Sequence, residues 1–371
     1  MFDFFLDLPN LIGVLIFILF FYLLKSIPGW VALLLSLSAF FPYFLNDFLF
    51  PASYMPDQFK YYEVVKSLRS FNLDYANRSN TIEVSGWILS FVPLPFVETI
   101  KSLGFFNRFI FTSLVLWLYV SKKMRGFPIV FLLIYPSLIL YTSLSLRETI
   151  ITFFMIVSMI YLIDGKFFRF FLFSIPLFFL KFQNFFLLLV FLFIFLLRKE
   201  GTFFYRFRFF LCLLVLFLFA PFVNQIIEVV DYYRYAMFVE DGNDVGAYVN
   251  ISGLLEFFIL GLKSAPYFIF KPLPWEVNGG FQVIQSFENI VVVVVLLFVF
   301  YFSFKKDRYI TVTWLLYFLF SMTIYGLVVF NFGTAARYRF TFFVFVVVGL
   351  SYELFKKYGA KVNLSVGKEN S

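Results

Sequence analysis

Apolar runs long enough to cross a bilayer follow one another almost without pause along this 371-residue chain, at about residues 10–25, 28–50, 105–121, 127–145, 147–164, 167–181, 183–198, 206–225, 286–304, 309–330 and 338–355. A helix needs about 20 predominantly apolar residues to span roughly 30 Å of hydrocarbon. The pattern predicts an all-α, polytopic membrane protein with about eleven transmembrane helices. It is read as a single transmembrane domain over residues 1–371, with two larger extracytoplasmic loops at 51–104 and 225–285.

Composition narrows the chemistry. Hydrophobic residues make up 62% of the chain and charged residues only 14%, a balance foreign to water-soluble domains. The chain has no histidine, which removes histidine general acid/base work, histidine–metal sites and Ser-His-Asp catalysis. The one cysteine, Cys212, excludes an internal disulfide and is expected to be a buried, inert thiol. Asp3 and Asp7 precede the first apolar run where a secretory signal would carry basic residues, so no cleavable signal is expected.

The net charge of +8 reflects short basic loops rather than nucleic-acid binding. Lys122, Lys123 and Arg125; Lys166 and Arg169; Arg198, Lys199, Arg206 and Arg208; Lys305, Lys306 and Arg308; and Lys356 and Lys357 fall on one side if 225–285 is one loop on the other. The positive-inside rule then predicts an outward N-terminus and a cytoplasmic C-terminus. The topology closes if 86–103, interrupted by Pro93 and Pro95, is re-entrant or interfacial rather than crossing.

The unusual polar groups are then expected to gather on the extracytoplasmic face. Pro56 and Asp57 read as a helix start. Phe59, Tyr62, Val65 and Leu68 predict an amphipathic interfacial helix, with Asp57, Lys60 and Tyr61 on its other face. Asp57 is read as a general base or a helix cap. Arg147 and Glu148 open an apolar helix; a cation there opposes the helix dipole while a carboxylate suits it, which singles out Arg147 for function. Lys181 interrupts a hairpin together with Gln183 and Asn184, either as part of the site or as a snorkelling lysine. In NFGTAARYRF, Arg337 and Arg339 could both reach one anion if the segment is not regular, and arginine suits bidentate phosphate recognition. Pro272, Pro274 and Trp275 form an aromatic platform for a sugar or an interfacial belt. Glu240, Asp241 and Asp244 read more readily as a solvated turn than as a cation site, and no metal is assigned.

These features resemble the bacterial exopolysaccharide and O-antigen repeat-unit polymerases of the Wzy and EpsG type. The likeness lies in an outward N-terminus, two helices, an outer loop with Asp57 and Tyr61-Tyr62, then Ser145-Leu146-Arg147-Glu148 opening a helix. A basic corner at Lys181, the Pro272–Trp275 loop and Arg337-Tyr338-Arg339 complete it. The chain departs in carrying Glu148 where glutamine commonly follows the arginine, and Lys181 to Asn184 where a histidine is often seen. The resemblance implies a GT-C-like fold and glycosyl transfer between undecaprenyl-pyrophosphate-linked oligosaccharides at the outer face of the bacterial inner membrane. It assigns catalysis to Asp57, Arg147, Glu148 and Arg337, and substrate contact to Tyr61, Lys181, Arg339, Trp275 and Tyr338. The implied partners are lipid-linked glycans and membrane lipid, with a chain-length regulator left open and no cofactor or nucleic acid. A lipid-linked oligosaccharide or anion transporter, and a transferase using polyprenyl-phosphate monosaccharides, are the alternatives.

Overall fold

The computed structural model describes residues 2–46, 48–72, 79–240, 244–277 and 279–369. Among them the regular structure is helical, with no β-strand. The chain divides into two compact units, Met1–Leu188 and Leu189–Ser371.

The first unit holds α1 (Phe2–Leu23), α2 (Gly29–Ala39), α3 (Phe41–Leu45), α4 (Asp57–Arg69), α5 (Asn80–Ser90) and α6 (Ile100–Val120). It continues with α7 (Phe127–Ile134), α8 (Pro136–Tyr141), α9 (Glu148–Ile163) and α10 (Phe167–Leu180), and the division falls within α11 (Phe182–Arg198). The second unit holds α12 (Phe203–Arg206), α13 (Arg208–Phe219), α14 (Val223–Glu240), α15 (Leu254–Phe270), α16 (Gly280–Lys306), α17 (Arg308–Val328) and α18 (Phe332–Glu369).

Six helices among the described residues are long and apolar enough to cross a membrane: Phe4–Leu23, Ile100–Val120, Arg208–Glu240, Gly280–Lys306, Arg308–Val328 and Phe332–Tyr358. Four shorter apolar helical stretches accompany them, at Gly29–Leu45, Glu148–Ile163, Phe167–Leu180 and Phe182–Arg198. The chain is a polytopic membrane protein by this measure, with fewer full-length helices than the eleven runs. Proline accounts for one shortening: the run at 127–145 breaks between Ile134 and Pro136, because the ring cannot continue the hydrogen-bond ladder.

One stretch read as a loop carries more helix than expected. Within 225–285 lie most of α14 and all of α15; their scattered polar residues dilute the hydropathy without breaking the helix. Residues 241–243, including Asp241, lie outside the described residues. The segment 86–103 forms no continuous helix: α5 stops at Ser90, α6 starts at Ile100, and Pro93 and Pro95 fall in the irregular link. Cys212 is exposed on α13, a helix with no buried residue, rather than in a core.

Polar side chains deep in the first unit set its geometry. Asp7 of α1 is fully buried and accepts from the Ser102 hydroxyl (2.5 Å) and from Thr99, which itself caps α6. Asn10 donates to the Phe96 carbonyl (2.9 Å). Arg69 at the end of α4 donates to the carbonyls of Ser90 (3.2 Å), Leu94 (2.5 Å) and Val92, and its guanidinium lies 4.3 Å over the Phe106 ring. The bond to Ser90 caps the end of α5, and those to Val92 and Leu94 hold the irregular link that follows.

Candidate functional site

The start of α4 carries Asp57 in its first turn, one residue after Pro56. Proline suits a helix start, where its missing N–H costs nothing. Asp57 makes no side-chain cap; its carboxylate pairs with Lys60 at 3.1 Å, with side chains 40% and 45% exposed respectively. An exposed pair of this kind is worth ~0–1 kcal/mol, so it opens easily to a competing partner.

The buried face of α4 is Gln58, Tyr61, Val64, Val65 and Leu68. Phe59 is exposed, whereas Tyr61, one helical turn after Asp57, is buried. Tyr61 therefore belongs to the packing of the first unit rather than to an open surface. Gln58 explains the phase. Its amide exchanges two hydrogen bonds with Asn46 (3.0 and 3.1 Å), and its Oε1 accepts from the backbone N–H of Ser145 (3.2 Å).

That last bond ties the start of α4 to the turn carrying Arg147. The turn is held again from α6, where Asn107 donates to the carbonyls of Leu144 and Leu146, both at 2.6 Å. The Ser145 hydroxyl donates to the Ile100 carbonyl. Gly104 lets α6 approach this closely, since a Cβ there would sit 2.5 Å from the Ser143 carbonyl oxygen. Two residues further on, Arg147 occupies the N-cap position of α9 and Glu148 its first turn.

Arg147 and Glu148 differ in what they offer. Glu148 is 2% exposed, in the first turn where the helix dipole favours a carboxylate. Arg147 is partly exposed, and its buried Nε meets no hydrogen-bond partner in the protein. Lys181 terminates α10, which packs antiparallel to α9, so the hairpin returns it to the end where α9 begins. Lys181 is 8% exposed and the neighbouring Asn184 donates to the Met155 sulfur (3.0 Å). The first unit thus brings Asp57, Arg147, Glu148 and Lys181 to one end.

The opposite end is basic. Lys123 pairs with Asp164 at 2.7 Å, beyond the last turns of α6 and α9. Between the two ends, Arg108 is fully buried on α6, donating to the hydroxyls of Thr142 (2.7 Å) and Ser38. Residue-type reasoning passed over Asn107, Arg108, Asn46 and Gln58. Asn107-Arg108 carried a signal, because an amide and a guanidinium inside an apolar run are rare and purposeful.

In the second unit Arg337 and Arg339 lie in regular helix, since α18 begins at Phe332. Two residues along an α-helix turn the side chain by about 200°, so they do not converge. Arg337 is partly exposed. Arg339 points inward, 2% exposed, donating to the carbonyls of Phe268 (2.7 Å), Ile269 (2.9 Å) and Lys271 (2.9 Å), and to Asn289 (2.5 Å). Its guanidinium closes the C-terminus of α15.

Lys271, overlooked in the sequence, is equally buried and donates to the carbonyls of Val329 (2.9 Å) and Phe330 (2.8 Å). It is joined to Pro272 by a cis peptide bond. Glu276 closes the following turn by accepting from the Leu273 N–H and the Tyr267 hydroxyl, both at 3.0 Å. Trp275 stands at the tip of that turn, 78% exposed. Tyr338 is partly buried, its ring 5.2 Å from that of Tyr325.

These observations define a polytopic α-helical membrane protein whose first unit carries an open carboxylate and an incompletely bonded arginine on linked helix starts. No group of histidine, cysteine, aspartate or glutamate among the described residues could hold a metal ion. No protein-family model, curated protein or solved structure matches the chain.

Proposed function

We propose that the protein extends a glycan by transferring it from a polyprenyl diphosphate to a hydroxyl of a second lipid-linked repeat unit, at the outer face of a bacterial inner membrane. The acceptor oxygen bonds to the anomeric carbon as the bond from that carbon to the diphosphate breaks. The hydroxyl proton passes to Asp57, and the lipid diphosphate leaves as an anion. Arg147 holds the charge that develops on the leaving oxygen, the kind of electrostatic stabilisation that is usually the largest catalytic contribution.

The observation that carries the reading is the Gln58–Ser145 bond, which couples the helix start bearing Asp57 to the turn bearing Arg147. Exposure supports Asp57 over Glu148 as the base: its carboxylate is accessible, whereas Glu148 is 2% exposed. The Arg147 Nε without a protein partner supports a ligand for that side chain. Lys181 is assigned to substrate binding in the same unit. In the second unit, Arg337 is assigned to catalysis, and Tyr338 and the exposed Trp275 to substrate contact.

The test is chain growth by the purified full-length protein in vesicles supplied with a lipid-linked repeat unit, read as a ladder on gels. Wild type is expected to give polymer. Asp57→Asn and Arg147→Met are expected to leave single repeat units, with a rate loss of about 100-fold or more for the base. Full polymer from both variants would remove these roles. Passage of intact units across the bilayer without growth would favour the transporter, and addition of one sugar only would favour the monosaccharide transferase.

A further inference from the structure

We infer that the first unit holds one anionic glycerophospholipid in a site built from the ends of α1, α2 and α6, independently of the glycan reaction. The site has a polar head and an apolar tail. Its head is a cavity of about 540 Å³ lined by Lys25, Ser26, Tyr22, Tyr119 and Arg125, with Pro28 and Gly29 at the start of α2. Its tail is a second cavity of about 450 Å³ between α1 and α2, walled by Ile12, Leu15, Ile16, Leu19 and Leu33. Tyr22 and Gly29 line both cavities, so the two adjoin at these residues.

The dimensions and charges select the occupant. From Ile12 to Tyr22 the tail follows about 15 Å of helix, which is the half-thickness of a bilayer's hydrocarbon core of roughly 30 Å. Ile12, Ile16 and Leu19 are 44%, 61% and 50% exposed, so a stripe of α1 stays uncovered by the protein. Spacings of four and three residues put these side chains on one helix face.

The head sits where a lipid headgroup would, at the rim reached by the C-terminal ends of α1 and α6. Lys25 and Arg125 are both exposed there and form no ion pair among the described residues. The left-handed backbone of Lys25 (φ 53°) ends α1 and turns the chain towards Ser26 and α2. No acidic side chain lines the cavity. A free phosphate would satisfy the cations but leave the apolar slot empty, and a neutral lipid would fill the slot without answering the charge. A lipid with net negative charge does both. This end is opposite Asp57 and Arg147, so the site anchors the unit in its leaflet rather than serving the acceptor.

The experiment uses full-length protein purified in detergent and examined by native mass spectrometry after titration with phosphatidylglycerol or phosphatidylcholine. Wild type is expected to retain one phosphatidylglycerol in preference to phosphatidylcholine. Each cation near a membrane surface contributes about fivefold to anionic lipid binding, so Lys25→Gln/Arg125→Gln should lower that preference by about 25-fold. Ile16→Trp fills the slot from a largely exposed position, leaving the core intact, and should weaken retention of both lipids. Equal retention of the two lipids by wild type would overturn the inference, as would an unchanged preference in the double variant. Displacement of the lipid by inorganic phosphate at similar concentration would also overturn it, by showing that the slot contributes nothing.

Discussion

Gln58→Leu tests whether the two helix starts are coupled as the structure places them. The side chain makes three hydrogen bonds, two with Asn46 and one accepted from the Ser145 N–H. At ~1 kcal/mol net for each buried bond, the substitution should destabilise the protein by about 3 kcal/mol. Asn46→Leu removes only the two shared bonds and should cost about 2 kcal/mol. The double variant removes the same three bonds as Gln58→Leu alone, so it should cost about 3 rather than about 5 kcal/mol, a coupling of about 2 kcal/mol. Reversible unfolding in mixed SDS micelles, followed by tryptophan fluorescence, measures all three variants against wild type. Additive costs, to within ~0.5 kcal/mol, would refute the pairing and with it the physical link between Asp57 and Arg147.

Gly104→Ala places a methyl 2.5 Å from the Ser143 carbonyl oxygen; the turn must shift, at about 1–3 kcal/mol, and chain growth should slow more than it does for an alanine on the exposed face of α6. Arg339→Leu strips the donors from three carbonyls and from Asn289, so a loss of about 3–5 kcal/mol is expected in the same SDS titration, while Arg337→Leu should leave stability within ~1 kcal/mol of wild type. Asp307 lies between α16 and α17. Burial pushes its pKa up, but hydrogen bonds from the Ile310 N–H, Lys357 and Tyr358 outweigh that and hold its carboxyl below the usual range. A depressed native pKa stabilises above the ordinary carboxylate value and is lost as pH falls through the native one. Wild type should therefore lose stability below about pH 4, and Asp307→Asn should lack that component of the acid transition.

How much of this was legible in the sequence depends on the scale of the signal. Hydropathy over twenty residues identified helices in a membrane, and Pro56-Asp57 marked the start of α4. The phase of that helix did not follow from its apolar residues. Phe59-Tyr62-Val65-Leu68 and the buried Gln58-Tyr61-Val65-Leu68 share their last two members, and only the amide bonded to Asn46 decides between them. That bond joins residues twelve apart through a turn, beyond the reach of periodicity. Arg339 shows a related ambiguity: a guanidinium signals affinity for negative charge, and helix-terminal carbonyls carry such charge too. Arg69 on the end of α5 and Arg339 on the end of α15 are the same solution within each unit. Asp231 and Arg234, set among apolar residues of α14, gave the appearance of a loop because averaging over a window discards which face a charge occupies.

The hydrogen bonds made by Arg69 and Arg108 mark both as framework, and Arg147 differs from them in its place at a helix start. Arg69 serves three carbonyls, and Arg108 serves two hydroxyls from full burial, its Nε also without a partner. Arg147 keeps a buried Nε with no protein partner at a helix N-terminus, where the dipole also opposes a cation by about 0.3–1 kcal/mol. A buried donor without a partner costs a further ~1–3 kcal/mol. If the arginine were structural, its removal would weaken the protein. If it is held for a ligand, Arg147→Met should stabilise the ligand-free protein by about 1–2 kcal/mol, while polymer formation falls at least tenfold. SDS unfolding of the two proteins without substrate decides the sign. A clear loss of stability in Arg147→Met would make the residue framework, and the diphosphate would need another cation.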